Sequence, residues 1–297
     1  MKRIGETNLF EVAYEMVKRC CIEIAPDAMW LLRQAYQRER SPPARELLRA
    51  MINNVELASE TGTPICQSPG YPTLYAWIGG EVKIDADIRR AFERAIAKAT
   101  REGYMRPSMV HPITRKNSGD NSGVEIPDME IDYNPRIDHA QFIISFKGCG
   151  AELVNVLKVL TPSQIGEAGT GIRRLVLMSM VEAGGIPCPP VAIGVGIGGQ
   201  IHTAAKLSRR AISIREWTDI NPDRELASME MELLSQVNSL GIGPGGIGGD
   251  TTALTVKVEM ASTHTAICPV AINFHCWTAR RSGAKIYPDG SIEYLYT

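Results

Sequence analysis

The stretch Ile186-Pro187-Cys188-Pro189-Pro190-Val191-Ala192-Ile193-Gly194-Val195-Gly196-Ile197-Gly198-Gly199-Gln200 decides how the rest of the chain is read. A cysteine stands among prolines, an apolar run follows, and a glycine ladder leads into His202-Thr203-Ala204-Ala205-Lys206-Leu207. Proline removes a backbone donor and favours extended chain. The run Val191 to Val195 fits a buried strand, and the glycines permit a tight turn or a close backbone approach. The expected order is loop, buried strand, turn, helix. A cysteine on so rigid a loop suits a metal or cluster ligand, but a single cysteine also packs as a small buried hydrophobe. Other residues have to decide between the two.

The ladder Gly194-Val-Gly196-Ile-Gly198-Gly199 also matches G-x-G-x-x-G between a strand and a helix, the pattern of a dinucleotide-binding turn. A Rossmann-type NAD(P) oxidoreductase is therefore one alternative. Against it, no regular βαβ alternation surrounds the match, and a cysteine loop precedes its strand. A second glycine loop, Gly241 to Asp250, lacks the lysine that a P-loop needs. No HxxxH, HExxH or paired CxxC zinc pattern is present.

The chain has 297 residues, 44% hydrophobic and 22% charged, with a net charge of −1. That is the composition of a water-soluble globular protein, and it gives no reason to expect a nucleic-acid partner. No apolar run reaches the ~18 residues of a membrane span, and the N-terminus lacks the apolar core of a signal peptide. The expectation is a cytoplasmic protein without a membrane anchor. Its seven cysteines, odd in number and irregular in spacing, are expected as thiols or metal ligands rather than disulfides.

Working outward, helices are expected from residue 7 up to an interruption at Pro26, with Cys20 and Cys21 on it, from Asp27 to Arg38, and from about Ser41 to Ser59, with Ser41 as cap and prolines in the first turn. Cys66 lies at a loop-to-strand junction, before a strand at residues 73–78. A helix is expected over residues 85–102. A long polar loop, Arg106 to Gly123, carries cations, amides and hydroxyls and is a candidate anion-binding segment. Strands are expected near 124–133 and 140–146, a tight turn at Lys147–Glu152, and one long helix over 163–183 ending at Gly184-Gly185. Helices at 202–212 and 224–240 and strands at 251–259 and 266–277 complete the pattern. No linker divides the chain. The expectation is one α+β domain over residues 1–297, with N-terminal helices plus a mixed sheet with flanking helices.

Cys66, Cys188 and Cys276 each sit at a turn beside an apolar strand, too far apart for a zinc knuckle. An iron–sulfur cluster needs only thiolates that converge in space. Three ligands would leave one iron of a [4Fe–4S] cluster open, and an open metal position can act as a Lewis acid.

Several motifs together carry a resemblance: Ile65-Cys66-Gln67, Arg106-Pro-Ser108, Thr114 to Asn121, Lys147-Gly148-Cys149-Gly150, Cys188 to Gly198, Leu240 to Gly246 with Thr251-Thr-Ala, and His264 through Cys276 to Arg281. In this order they resemble the α subunit, or N-terminal domain, of class I iron–sulfur hydro-lyases, the two-subunit fumarate hydratases and L-tartrate dehydratases. The resemblance implies Cys66, Cys188 and Cys276 as cluster ligands; Cys276 is preferred to Cys268 because the family's ligand follows the motif histidine by twelve positions. It implies Gln67, Ser68, Arg106, Asn117, Gly148 and Cys149 around the substrate, with Arg106 pairing a carboxylate, and it implies catalytic roles for His264 and Arg106.

Two residues depart from the family. Ser68 stands where an aspartate is usual and carries no charge, and Cys149 stands where glycine is usual. The implied activity is reversible hydration of a small dicarboxylate, fumarate or malate first and tartrate next. The implied cofactor is a [4Fe–4S] cluster, and the implied partner is a separate β subunit in an α2β2 assembly. A non-catalytic paralogous subunit is the remaining alternative.

Overall fold

A computed structural model describes residues 3–296. The chain folds as two units, residues 1–26, 54–147 and 279–297 in one, and residues 27–53 and 148–278 in the other. It passes between the units four times, so no single stretch of sequence reads as a linker. The helix Pro42–Thr61 is itself divided, at Asn53/Asn54.

The first unit is built on a five-stranded mixed sheet, in the order Ile292–Leu295, Arg280–Ile286, Ala140–Lys147, Tyr71–Gly79, Asp128–Asn134. All its pairs are antiparallel except Tyr71–Gly79 with Asp128–Asn134. The helices Glu6–Ile22 and Ile88–Arg101 cover it. Leu9, Val12, Ala13, Met16 and Val17 recur at helical spacing and are all buried, as are Phe92, Ala95, Ile96 and Ala99. Asp87 caps the second helix by accepting from the Arg90 N–H at 3.0 Å. A short parallel pair, Arg3–Gly5 with Lys83–Asp85, lies outside the main sheet.

The second unit has a four-stranded mixed sheet, in the order Val156–Leu160, Cys268–His275, Val191–Gly198, Ala253–Ala261. Val191–Gly198 runs parallel to Ala253–Ala261 and antiparallel to Cys268–His275. The connection between the two parallel strands contains the helices Ile201–Ser213 and Arg224–Ser239. Val191, Ile193, Val195, Val256, Val258, Val270, Ile272 and Phe274 form the core of this unit with Val176 and Met180 of the helix Thr170–Ala183.

The helices and mixed sheets agree with the α+β expectation, though two main sheets replace the one expected. The expected long helix over 163–183 is broken into Pro162–Ile165, a 3-10 turn and Thr170–Ala183. Gly166 and Gly169 adopt φ of +71° and +73° there, which no α-helix accommodates. The turn expected at Lys147–Glu152 continues as a short helix, Cys149–Leu153. The strand Val156–Leu160 and the hairpin strand Ile292–Leu295 were not expected.

The glycine ladder has a structural reason other than a dinucleotide. Gly194 and Gly196 lie inside the strand Val191–Gly198, not at a turn. A Cβ on Gly194 would stand 2.0 Å from the Ser208 carbonyl oxygen, and one on Gly196 would stand 2.0 Å from that of Ala204. The bare strand lets the helix Ile201–Ser213 lie directly on its backbone. No helix among the described residues is long and apolar enough to cross a membrane.

Candidate active site

In the second unit, strand register decides which candidates share an end of the sheet. Ala192 stands opposite His275, and Ile197 opposite Val270. The loop carrying Cys188 enters the sheet where the strand ending at His275 leaves it, so Cys188 and Cys276 lie at a common end. Cys268 begins that strand and pairs with Leu160. Eight residues at ~3.3 Å each separate it from Cys276, about 25 Å. Its thiol is buried, and burial pushes its pKa up.

The Cys188 loop is held by backbone packing. Cys188 is exposed and has φ of +57°, a conformation that a non-glycine residue adopts only when its surroundings enforce it. Its N–H donates to the Gly185 carbonyl at 3.2 Å. A Cβ on Gly185 would meet the Gly245 carbonyl at 3.1 Å, and the Gly245 N–H donates to the Pro189 carbonyl at 2.8 Å. The second glycine loop is therefore the bed of the cysteine loop. Its far end is fastened by Glu39, a buried carboxylate that accepts from the N–H groups of Asp250 and Thr251. Gly150 presses on the same loop, because a Cβ there would stand 2.7 Å from the Ile186 carbonyl. Gly148 is buried and precedes the short helix on which Cys149 is exposed.

Cys276 is 8% exposed. Its Sγ lies 2.9 Å from the Thr278 hydroxyl, and its carbonyl lies 3.0 Å from Nδ1 of His275. His275 is buried edge-on against Trp217, with ring centroids 5.7 Å apart. His264 lies at the other end of the sheet, in the exposed loop joining Ala261 to Cys268. That loop is tied down by the Thr263 hydroxyl, 3.1 Å from the Gly199 carbonyl. Within one chain, His264 is not beside Cys188 and Cys276.

The first unit carries Cys66, Gln67, Ser68, Arg106 and Asn117. Ile65 fastens the cysteine segment on both sides of its backbone: its N–H donates to the Cys21 carbonyl at 2.9 Å, and its carbonyl accepts from Asn54 at 2.9 Å. Cys66 and Gln67 are exposed beyond this anchor. The Ser68 N–H points at the Cys66 Sγ, 3.4 Å away, and the Ser68 carbonyl accepts from Nη1 of Arg280. Gly70 closes the segment against the end of the central strand, where a Cβ would stand 2.6 Å from the Lys147 carbonyl.

Arg106 is exposed, and its backbone is set by a residue given no role from the sequence. Asn121 is 2% exposed and adopts φ of +60°. Its Oδ1 accepts from the N–H groups of Ser108 at 2.7 Å and Met109 at 3.1 Å. Its Nδ2 donates to the Thr100 hydroxyl at 2.9 Å and the Arg106 carbonyl at 3.1 Å. One side chain thus staples the loop to the helix Ile88–Arg101. The pattern Asn117-Ser-Gly119-Asp120-Asn121 held the signal, but only burial separates the two asparagines. Asn117 is exposed and works within the loop, donating to the Pro107 carbonyl at 3.2 Å and accepting from the Gly119 N–H at 2.7 Å.

Among the described residues, no group of three or more His, Cys, Asp or Glu side chains is assembled to hold a metal ion. The donor chemistry nonetheless suits iron–sulfur binding, with thiols at strand-end loops and a peptide N–H directed at one of them. Residues 10–285 match the fumarate hydratase (Fumerase) family. The chain belongs to that family. Among its fumarate hydratase relatives, a Methanocaldococcus jannaschii protein named "Putative L(+)-tartrate dehydratase subunit alpha" is 39% identical over 289 residues, 96% of this chain and all of that one. The Geobacillus stearothermophilus "Putative fumarate hydratase class I" is 33% identical over 298 residues, 97% of this chain but 57% of its own length. The Escherichia coli K12 L(+)-tartrate dehydratase subunit alpha is 28% identical over 294 residues, 99% of this chain and 96% of that one. The fumarate hydratase family and these relatives make the chain a hydro-lyase of the α-subunit kind.

Proposed function

We propose that this chain is the iron–sulfur-binding α subunit of an enzyme that removes water from, or adds it to, a small dicarboxylate. Tartrate ranks first, because the two relatives aligned over nearly their whole length carry the tartrate dehydratase name; malate and fumarate follow. The observation that carries the reading is the pairing of Ala192 with His275, which leaves Cys188 and Cys276 at one end of a sheet in a fumarate hydratase family chain. Cys66, Cys188 and Cys276 are the proposed ligands of a [4Fe–4S] cluster. When bound, such a cluster supplies an iron position open to substrate, where a hydroxyl is polarised.

The chain's own residues bind and orient the substrate. Arg106 pairs a carboxylate through two parallel hydrogen bonds, with its backbone fixed by Asn121. The Gln67 amide and the Ser68 hydroxyl offer neutral hydrogen bonds, and Asn117 keeps the Arg106 loop in shape. Gly148 and Cys149 line the proposed pocket at the start of a short helix. Serine at position 68 donates and accepts but brings no charge, so proton removal falls to another group. A separate β subunit supplies that base and further carboxylate-binding groups. His264, about 25 Å along its sheet from the Cys276 end, orients or exchanges protons at the site of a second copy, which fits an α2β2 assembly. The proposed location is the cytoplasm.

The test is to express the full chain with its β subunit, purify the complex without oxygen, and measure iron, sulfide and turnover of L-tartrate, malate and fumarate. The expected result is one cluster per α chain and measurable turnover, lost on exposure to air as iron is lost. A full cluster without turnover of any of the three would favour a non-catalytic subunit. No iron after anaerobic reconstitution would overturn the proposal.

A further inference from the structure

Arg280 is buried, 3% exposed, at the start of the strand Arg280–Ile286 and four residues after Cys276 in the chain. It stands opposite Phe146, which in turn stands opposite Pro72, so one row of the first unit's sheet runs from Arg280 to within four residues of Ser68. Its Nη1 donates to the Ser68 carbonyl. Its Nε is buried without an acceptor, and among the described residues no carboxylate forms an ion pair with it. A guanidinium out of water is costly unless an anion answers its charge. The nearby Cys20 and Cys21 thiols do not answer it. Burial holds both protonated at neutral pH, Cys21 up to about 12.

We infer that Arg280 is a positioning residue for the Cys66 loop: it grips the Ser68 carbonyl and supplies the positive charge that answers Cys66 once it binds iron as a thiolate. The inference rests on the proposed role of Cys66 as a ligand. The geometry asks for arginine because a planar fork holds a carbonyl with one nitrogen and leaves the others for a second acceptor, whereas lysine is a point donor on a flexible stem. The cost of an unanswered buried charge is then met only when the cluster is present.

The experiment uses the full chain with Arg280→Met and Arg280→Lys. Hydrogen exchange is followed at residues 66–71, with the strand Ala140–Lys147 as internal control. In the iron-free chain, Arg280→Met is expected to speed exchange of the cysteine loop by about tenfold or more, the scale of one lost charge-assisted hydrogen bond, and to leave the control strand unchanged. On anaerobic reconstitution it should take up less iron and sulfide than the parent chain, with Arg280→Lys recovering part of the loading. Unchanged loop exchange together with full iron loading in Arg280→Met would overturn the inference. If Arg280→Met does not fold, Arg280→Lys decides: parent-like loop exchange and loading would overturn the inference equally. If the parent chain itself takes up no iron, the proposed function fails, while the exchange result still reports whether Arg280 holds the loop.

Discussion

Ala192 and His275 face each other across the antiparallel pair at the centre of the second unit's sheet. Because one begins its strand's pairing and the other ends its own, the residues just outside them, the Cys188 loop and Cys276, emerge at the same end. A one-residue slip in this register would turn every side chain of the strand to the other face. Val191, Ile193 and Val195 are packed in the core, whereas only glycine fits at 194 and 196 beneath the helix Ile201–Ser213. A slip would drive valine into that helix, and this holds the pairing in place.

The register separates the two cysteines of this strand. Cys276→Ala is expected to abolish iron and sulfide binding, as are Cys188→Ala and Cys66→Ala. Cys268→Ala should keep the cluster and lose only the packing of a small buried side chain, about 1 kcal/mol. Iron and sulfide analysis of the four anaerobically purified variants checks this. Full loading in Cys276→Ala would sink the assignment.

Gly196→Ala should destabilise the chain by roughly 1–3 kcal/mol or more, because its Cβ meets backbone rather than a side chain that could swing away. The denaturation midpoint should fall whether or not a nicotinamide dinucleotide is present, and the dinucleotide should leave the parent chain's melting unchanged. A rise in melting temperature with NAD would restore the dinucleotide reading of the ladder.

Asn121→Ala removes four hydrogen bonds at a buried position and leaves several of their partners unsatisfied. The expected cost is about 2–3 kcal/mol, with faster amide exchange at Ser108 and Met109. If Arg106 binds a carboxylate as proposed, KM should rise more than kcat falls, since Arg106 itself is kept. Parent-like stability and kinetics would mean that the loop is held by other contacts.

Two groups contribute to opposite arms of the pH dependence of stability. The Arg40 guanidinium holds the Asp250 carboxyl down at about 2. In the unfolded chain it titrates near its usual value of about 3.9, so the pair's contribution is full above about pH 4 and is lost as pH falls towards 2. The pair is exposed, so added salt should weaken this arm. Burial pushes Cys21 up to about 12. Unfolded, it titrates near 8.5, so stability should fall as pH rises from about 9 towards 12. Arg40→Ala should reduce the acid arm and leave the alkaline one unchanged, and Cys21→Ala should reduce the alkaline arm. Denaturation midpoints across pH check both, and an unchanged alkaline arm in Cys21→Ala would rule that thiol out as its source.

The helices were legible wherever apolar residues recur at helical spacing around a clear cap or stop, as in Glu6–Ile22, Ile88–Arg101 and Arg224–Ser239. The strands Tyr71–Gly79 and Val191–Gly198 were legible from their runs of apolar, β-branched or aromatic residues. The short strand Val156–Leu160 was not, because an edge strand with exposed Leu157 and Val159 gives no burial pattern to read.

The sequence by itself determined the fumarate hydratase family and the list of candidate residues, since both rest on motifs whose order survives without any knowledge of contacts. Only the tertiary structure decided what the glycine ladder is for, which asparagine fastens the Arg106 loop, and which end of the second unit's sheet Cys188, Cys268, Cys276 and His264 occupy. Those are questions of strand register and of backbone meeting backbone between residues far apart in the chain. Local propensity carries no record of such pairings; they exist only once the sheets have formed.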